Sequence, residues 1–194
     1  MDQETAYRRS VEGWTARVEA VGPDQWALPT PCADWDVRTL VNHVVGEDLW
    51  TGPLMRGQTM EEVGDRFDGD QLGDDPHASA RSAAADALSV VAETLPTAGK
   101  VHLSYGEEDM AEYVAQLTAD HLIHGWDLAA ATGGNSELDD ELVETVAAWF
   151  AEREAMYRSA GVIGARVEAA GDAQSQLLAR SGRDPLWGVP SAAE

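Results

Sequence analysis

The chain of 194 residues has a formal net charge of −22, from 35 acidic and 13 basic side chains. An acidic surface repels phosphate backbones and anionic lipid headgroups, which argues against nucleic acid and membrane surfaces as partners. No apolar run approaches the roughly 20 residues that cross a bilayer. Because the first residues, MDQETAYRRS, are charged where a signal peptide needs an apolar stretch, we expect a cytoplasmic protein.

Composition also limits the architecture. An apolar content of 44% suffices for one sizeable core. No repeat or Pro/Gly-rich linker divides the chain, so we expect a single domain over residues 1–194. Cys32 is the only cysteine, which excludes an internal disulfide and a multi-thiolate metal site. Twelve arginines against the single Lys100 are typical of a GC-rich bacterial genome.

The first third of the chain predicts two helices. Apolar residues recur at steps of three and four over residues 4–21, which is typical of one face of a helix. Two prolines in residues 28–34 remove donors and fix φ, so an extended loop follows. Asp34 or Asp36 then caps a second helix that runs to about Trp50.

Two more long helices follow a loop. Residues 52–75, rich in Gly and Asp, are expected to be a mobile loop, with one helical turn as an alternative. Asp75-Pro76 is a strong start signal for a third helix, which ends at Pro96. The alternation in residues 100–105 predicts a short extended segment. A fourth helix is expected over residues 109–132, because glycines follow it directly.

The C-terminal part predicts a fifth helix and a short sixth one. Ser136 and Asp139 resemble a capping box, and the apolar stripe after them continues to Tyr157. A short helix is expected near residues 172–181. Long amphipathic helices joined by loops predict an all-α helical bundle.

The fourth helix carries polar groups on its apolar face. Burying these groups without partners would cost several kcal/mol, whereas a bound cation would satisfy them as ligands. At 100° per residue, one stripe about 100° wide holds Tyr113, Leu117, Asp120, His124, Asp127, Leu128 and Ala131.

Asp120 and His124 have the spacing of a chelating pair. They lie at i and i+4, so both can reach one ion. His43, at the edge of the second helix's apolar face, is the leading candidate for a third ligand. The alternatives are a hydrogen-bonded structural histidine at position 43 and a purely local Asp–His interaction on the fourth helix.

Four further residues have competing interpretations. Asp127 either orients an imidazole or makes a buried structural hydrogen bond. Glu47 is either a base beside the metal or a solvated surface side chain. We expect His121 to face a neighbouring helix. We expect Cys32 to be unreactive, because nothing nearby supplies the positive charge that lowers a thiol pKa.

Two segments resemble the signatures of a known family. Residues 31–43, PCADWDVRTLVNH, are similar to the start of the second helix in DinB-like metal-binding proteins. The resemblance is greater to the branch that contains mycothiol-dependent maleylpyruvate isomerase and its actinobacterial relatives. Residues 121–133, HLIHGWDLAAATG, resemble the second signature of that branch. The resemblance extends over nearly the whole chain, to residues 182–185.

The resemblance implies an all-α, DinB-like four-helix bundle with additional short helices and a metal between helices at one end of the core. It implies His43, Asp120 and His124 as ligands, with Asp120 standing where the isomerase pattern has Glu. The metal would be zinc, with nickel, manganese and iron as alternatives, and mycothiol would be the thiol cosubstrate. The isomerase carries an additional C-terminal domain, for which we expect this sequence to be too short.

Three hypotheses for the function follow. The first is a metal-dependent transferase or isomerase that joins a low-molecular-weight thiol, such as mycothiol, to a small electrophile. The second is a metal-binding or stress-response module without catalysis. The third is a structural helical protein that dimerises through its bundle. The residues favour the first two over the third, we predict the first, and the family resemblance also suggests a homodimer.

Overall fold

The computed structural model describes residues 1–188. Over this range the chain is predominantly helical, with one two-stranded hairpin. None of these helices is long and apolar enough to cross a bilayer. A single domain over residues 1–194 remains a prediction, and residues 189–194 lie outside the described residues. The elements are α1 (Gln3–Glu19), α2 (Val37–Met55), α3 (Met60–Val63), α4 (Pro76–Thr94), β1 (Lys100–Leu103), β2 (Gly106–Asp109), α5 (Met110–Thr132), α6 (Asp140–Ala151), α7 (Glu154–Ser159) and α8 (Ala173–Arg180).

Helices α1, α2, α4 and α5 form a four-helix bundle. α1 packs against α4 and α5, and α2 packs against the same two helices, so the four enclose one interior. This arrangement confirms the predicted all-α, DinB-like fold, to which the other helices are additions. The bundle core is apolar and includes Tyr7, Val11, Trp14, Leu40, Val44, Val91, Leu117 and Leu128.

All four bundle helices begin after an aspartate, and three of these aspartates cap the helix with the side chain. The side chains of Asp2, Asp36 and Asp75 each accept a hydrogen bond from the backbone N–H three residues further on. Such a cap contributes about 1 kcal/mol. Of the two predicted caps for α2, Asp36 is the one used, because Asp34 lies in the preceding turn with a φ of 66°.

Two predictions in this part were incomplete. α2 continues past Trp50 to Met55, because Leu54 and Met55 are buried in the bundle core and hold the last turn in place. The predicted extended segment is β1, but its partner β2 was not predicted, since its sequence is polar and mostly exposed. The two strands pair antiparallel, with an ion pair of 2.8 Å between Lys100 and Asp109.

The predicted fifth helix is two helices. Asp139 caps α6 in place of the predicted capping box at Ser136. The helix stops because the Arg153 side chain donates to the carbonyl oxygen of Trp149 at 3.0 Å, while its backbone N–H turns to Phe150. α7 then begins at Glu154. α6 and α8, the predicted short helix, pack together on the outer face of α1 and α5.

Candidate metal centre and its cavity

Helices α2 and α5 bring the three predicted ligands together. Asp120 Oδ1 lies 3.3 Å from His124 Nε2, and Asp120 Oδ2 lies 3.8 Å from His43 Nε2. The three donor atoms all lie within 4.8 Å of one another. Two donors bound to one zinc ion at roughly 2.0–2.2 Å are at most about 4.4 Å apart, so small side-chain rotations would allow shared coordination.

Asp120 is the residue that most clearly lacks a partner. Its Oδ2 atom is inaccessible to solvent and accepts no hydrogen bond within the described residues. Burial opposes ionisation, but the neighbouring His124 and His43 outweigh it and hold the pKa of the Asp120 carboxyl well below its usual range. A half-buried carboxylate with one buried, unused oxygen, beside two imidazoles, is a donor set that fits a divalent cation.

Of its two interpretations, Asp127 has the geometry of a residue that orients an imidazole. His124 Nδ1–H donates to Asp127 Oδ2 at 2.9 Å, which leaves Nε2 free on the side of Asp120. Asp127 is fully buried and also accepts from Arg183 at 2.9 Å. Burial opposes its ionisation, but His124 and Arg183 lower the pKa of Asp127 overall. A carboxylate behind a histidine in this way fixes the ring and its tautomer.

The expectation for Cys32 was wrong in one respect. A positive charge does lie beside it: Arg183 Nη2 donates to Cys32 Sγ at 3.3 Å, across 151 positions of sequence. The thiol itself donates to Asp127 Oδ2 at 3.2 Å. Cys32, His124 and Asp127 are also close enough to share an ion. The guanidinium on this side repels a cation, so we interpret this second group as a hydrogen-bonded network.

The three donors face a cavity of about 680 Å³, a size typical of small-molecule sites. On one side Trp35 packs against the imidazoles, with ring centroids 4.9 Å from His43 and 6.0 Å from His124. Glu47 lines the same side, half-buried, and burial and the charge of Asp120 raise its pKa. Of the two interpretations of Glu47, this environment favours a group within the site over a solvated surface side chain. C-terminal residues also line the cavity, among them Trp149, Phe150, Tyr157 and Ile163.

His121 lies outside the site, as expected. Its side chain is fully buried, with Nε2 3.1 Å from Asp48 Oδ1 and Nδ1 2.8 Å from the carbonyl oxygen of Leu117. Burial disfavours the charged imidazole, but the carboxylate of Asp48 outweighs it and raises the pKa of His121. This pair belongs to the bundle core.

Several contributors to the site were not predicted from the sequence. Trp35 stood inside the quoted motif of residues 31–43, but the motif does not show where its ring points. Arg183 follows a glycine in an irregular segment and has no periodic signal. Trp149 and Phe150 were assigned to an apolar helix stripe, and both do pack in a core, yet both also line the cavity.

The family described as mycothiol maleylpyruvate isomerase N-terminal domain matches residues 7–129, more than half of the chain. The chain belongs to that family. Two uncharacterized proteins of Mycobacterium tuberculosis, from strains CDC 1551 / Oshkosh and ATCC 25618 / H37Rv, are each 35% identical to it over 149 residues. That alignment covers 76% of this chain and 78% of each relative. No solved structure matches significantly.

The mycothiol maleylpyruvate isomerase N-terminal domain family is associated with mycothiol and with metal binding. The matched residues include the three candidate ligands and Asp127. They end before Arg183 and before the other C-terminal residues that line the cavity. The cavity is therefore built partly from the family's shared region and partly from sequence beyond it.

Proposed function

We propose that this protein is a metal-dependent enzyme that transfers a low-molecular-weight thiol, of the mycothiol type, to a small electrophile or isomerises it through thiol addition. One observation carries the proposal. His43, Asp120 and His124 converge, with an unused buried oxygen on Asp120, at the side of a cavity large enough for a thiol and a second small molecule.

In this proposal His43, Asp120 and His124 hold the metal. A divalent cation there would lower the pKa of a coordinated thiol, so that the thiol reacts as a thiolate at neutral pH. The residues of the chain prepare the site for this. Asp127 keeps Nε2 of His124 directed at Asp120, and the Trp35 ring restricts rotation of both imidazoles.

Glu47 is the group that we assign to the thiol proton. It lines the cavity one helical turn after His43, where its carboxylate can accept a proton from a bound thiol. The thiol gives its proton to Glu47, and its electron pair forms the new S–C bond. Electrons of the attacked π bond, or of the bond to a leaving group, move away from that carbon. The proton then returns to the adduct or leaves with the displaced group, so no oxidant or reductant is needed.

Zinc is the metal that we propose first. Two imidazoles and one carboxylate are a ligand set of catalytic zinc sites, which keep one position open for substrate. Nickel, manganese and iron accept similar ligands, and they are therefore measured alongside zinc. The partners are then a small thiol and a small electrophile. A cytoplasmic location and a homodimer remain predictions.

The test joins metal analysis to turnover. Tag-free protein, purified without added metal, is examined by elemental mass spectrometry and assayed with mycothiol, cysteine or glutathione and the electrophile chlorodinitrobenzene. We expect near one equivalent of a divalent metal and thiol-dependent product in the parent. Both are lost in His43→Ala and His124→Ala. The control is His77→Ala, since His77 contacts the carbonyl oxygen of Val21, outside the site.

The outcomes separate the hypotheses. Metal that is lost in both site variants, without consumption of the electrophile by any thiol, would leave a metal-binding module and refute the enzyme. No metal in the parent, even after incubation with zinc and nickel, would refute the metal centre and make the two histidines structural.

A further inference from the structure

Three aromatic rings line the same cavity as the candidate metal centre. Trp149 and Phe150 lie at the end of α6, and Tyr157 lies on α7; we name them the aromatic wall. The ring centroids of Trp149 and Tyr157 are 6.0 Å apart, and Phe150 stacks on Tyr157 at 6.3 Å with 19° between the planes. Ile163, in the next loop, lines the same cavity. All four residues lie beyond the region matched by the family, 7–129.

The aromatic wall is held in place without a ligand. Trp149 Nε1–H donates to both carboxylate oxygens of Glu112 at 3.2 Å, and Arg153 binds the same carboxylate. The Arg153 guanidinium also lies 5.1 Å from the centre of the Trp149 ring. The indole therefore has no free N–H for a ligand and offers apolar ring surface. A surface ordered in advance loses little side-chain freedom on binding, which favours affinity.

The arginines near the aromatic wall already have carboxylate partners, and two of them share one carboxylate. Four arginines are each paired with a carboxylate: Arg153 with Glu112, Arg158 and Arg180 with Glu154, and Arg183 with Asp127. Within residues 1–188, Arg183 is the only lysine or arginine that lines the cavity. Glu47 and Asp120 also line the cavity and add negative charge. A carboxylate ligand on this wall would lose its hydration without gaining an unpaired arginine or lysine.

We propose that the aromatic wall binds the uncharged, apolar body of the electrophile and that the cavity excludes dicarboxylate electrophiles. The proposal rests on the proposed function only in naming the ligand as the electrophile. The preference for neutral rings follows from the wall itself. Ring stacking on Trp149 and Tyr157 supplies affinity, while unpaired carboxylates are rejected.

Two matched ligands test the preference for neutral rings. meta-Dinitrobenzene and isophthalate share a ring and a substitution pattern and differ chiefly in charge. By ligand-observed NMR titration of the full chain, we expect the neutral compound to bind at least about tenfold more tightly. Trp149→Ala should weaken it by about tenfold, because one stacking face is lost. Ile163→Asp adds a charge in a loop without removing a ring, and it should also weaken binding of meta-dinitrobenzene.

Phe67→Ala is the control, since Phe67 lines a separate cavity between α2 and α4, and it should leave binding unchanged. Folding of each variant is checked by circular dichroism. Equal or tighter binding of isophthalate would overturn the proposal. So would unchanged binding of meta-dinitrobenzene in both Trp149→Ala and Ile163→Asp.

His43→Ala separates this proposal from the proposed function. It should lose metal and turnover but still bind meta-dinitrobenzene, because His43 does not contact the aromatic wall. Retained binding of meta-dinitrobenzene in a parent that holds no metal would support the wall and refute the enzyme. In a metal-loaded, active parent, the ratio of the catalysed to the uncatalysed rate should be at least about tenfold larger for dimethyl fumarate than for fumarate. Equal ratios for the two would refute the wall and leave the enzyme standing.

Discussion

Two aspartate–histidine pairs at α2 and α5 differ in their surroundings. Asp48 on α2 and His121 on α5 have no exposed side-chain surface and lie 3.1 Å apart in the bundle core. Asp120 and His124 both lie on α5, 3.3 Å apart at their closest atoms, beside the cavity. Residues 120 and 121 are neighbours in sequence, so a rotation of about 100° around one helix separates the two environments.

What surrounds each pair determines what it can do. Tyr7 and Trp14 meet the His121 ring edge-on, at centroid distances of 5.8 and 6.5 Å, and seal that pair on the core side. Asp48 Oδ2 also lacks a hydrogen-bond donor, and Asp48 lines the separate cavity between α2 and α4, but it has no second imidazole beside it. The other pair has a second imidazole in His43. The same two residue types thus serve stability in one place and chemistry, as we propose, in the other.

The largest effect that would sharpen this contrast is on stability. His121→Ala should lower the free energy of unfolding by about 3–5 kcal/mol, because it leaves the buried Asp48 carboxylate uncompensated. Metal content should stay at the parent level. Urea denaturation and elemental analysis measure the two.

The double variant Asp48→Leu/His121→Leu is the control for His121→Ala. It removes both charges and should recover most of the lost stability, because a buried ion pair can be replaced by apolar residues at little cost. Loss of metal in His121→Ala, with stability intact, would break the distinction between the two pairs.

A smaller effect, on metal affinity, is expected at Asp127, which hydrogen-bonds the proposed ligand His124. Asp127→Asn should weaken metal binding by about 10–100-fold, because His124 loses the carboxylate that fixes its ring. Competition with a chromophoric chelator measures the affinity. Asp48→Asn is the matched control, since Asp48 stands behind a histidine that we do not assign as a ligand, and it should leave metal affinity unchanged. Equal metal affinity for Asp127→Asn and the parent would contradict the orienting role.

The helices and the helix-borne part of the site could be predicted from the sequence, because their signals are local. A period of 3.6 residues placed Asp120, His124 and Asp127 on one face of α5, and the structure brings them together. His43 needed the family motif in addition, since spacing within one helix cannot show which residue of another helix lies opposite. The separation of His121 from the site followed from the same helical geometry.

The rest of the site depends on contacts between distant parts of the chain. Arg183 reaches Cys32 and Asp127 from an irregular segment, and no pattern near any of these residues indicates the approach. The break between α6 and α7 depends on a side-chain contact of Arg153 that a continuous apolar stripe conceals. Such contacts are fixed by tertiary packing, which overrides local preference.

The smallest effects concern pH, where the two pairs should respond with opposite sign. The pKa of His121 is raised above 6.5 because the Asp48 charge outweighs burial. Its contribution to stability is therefore full below pH 6.5 and is lost as pH rises through the folded-state pKa. The stability of the parent relative to Asp48→Leu/His121→Leu should fall as pH rises above 6.5. Burial lowers and Asp120 more strongly raises the pKa of His124, which must be neutral to bind a metal, so metal affinity should increase over the same range. Urea titrations at several pH values measure how stability changes with pH, and chelator competition at the same pH values measures how metal affinity changes. Slopes of the same sign would mean that the two histidines share one chemical role.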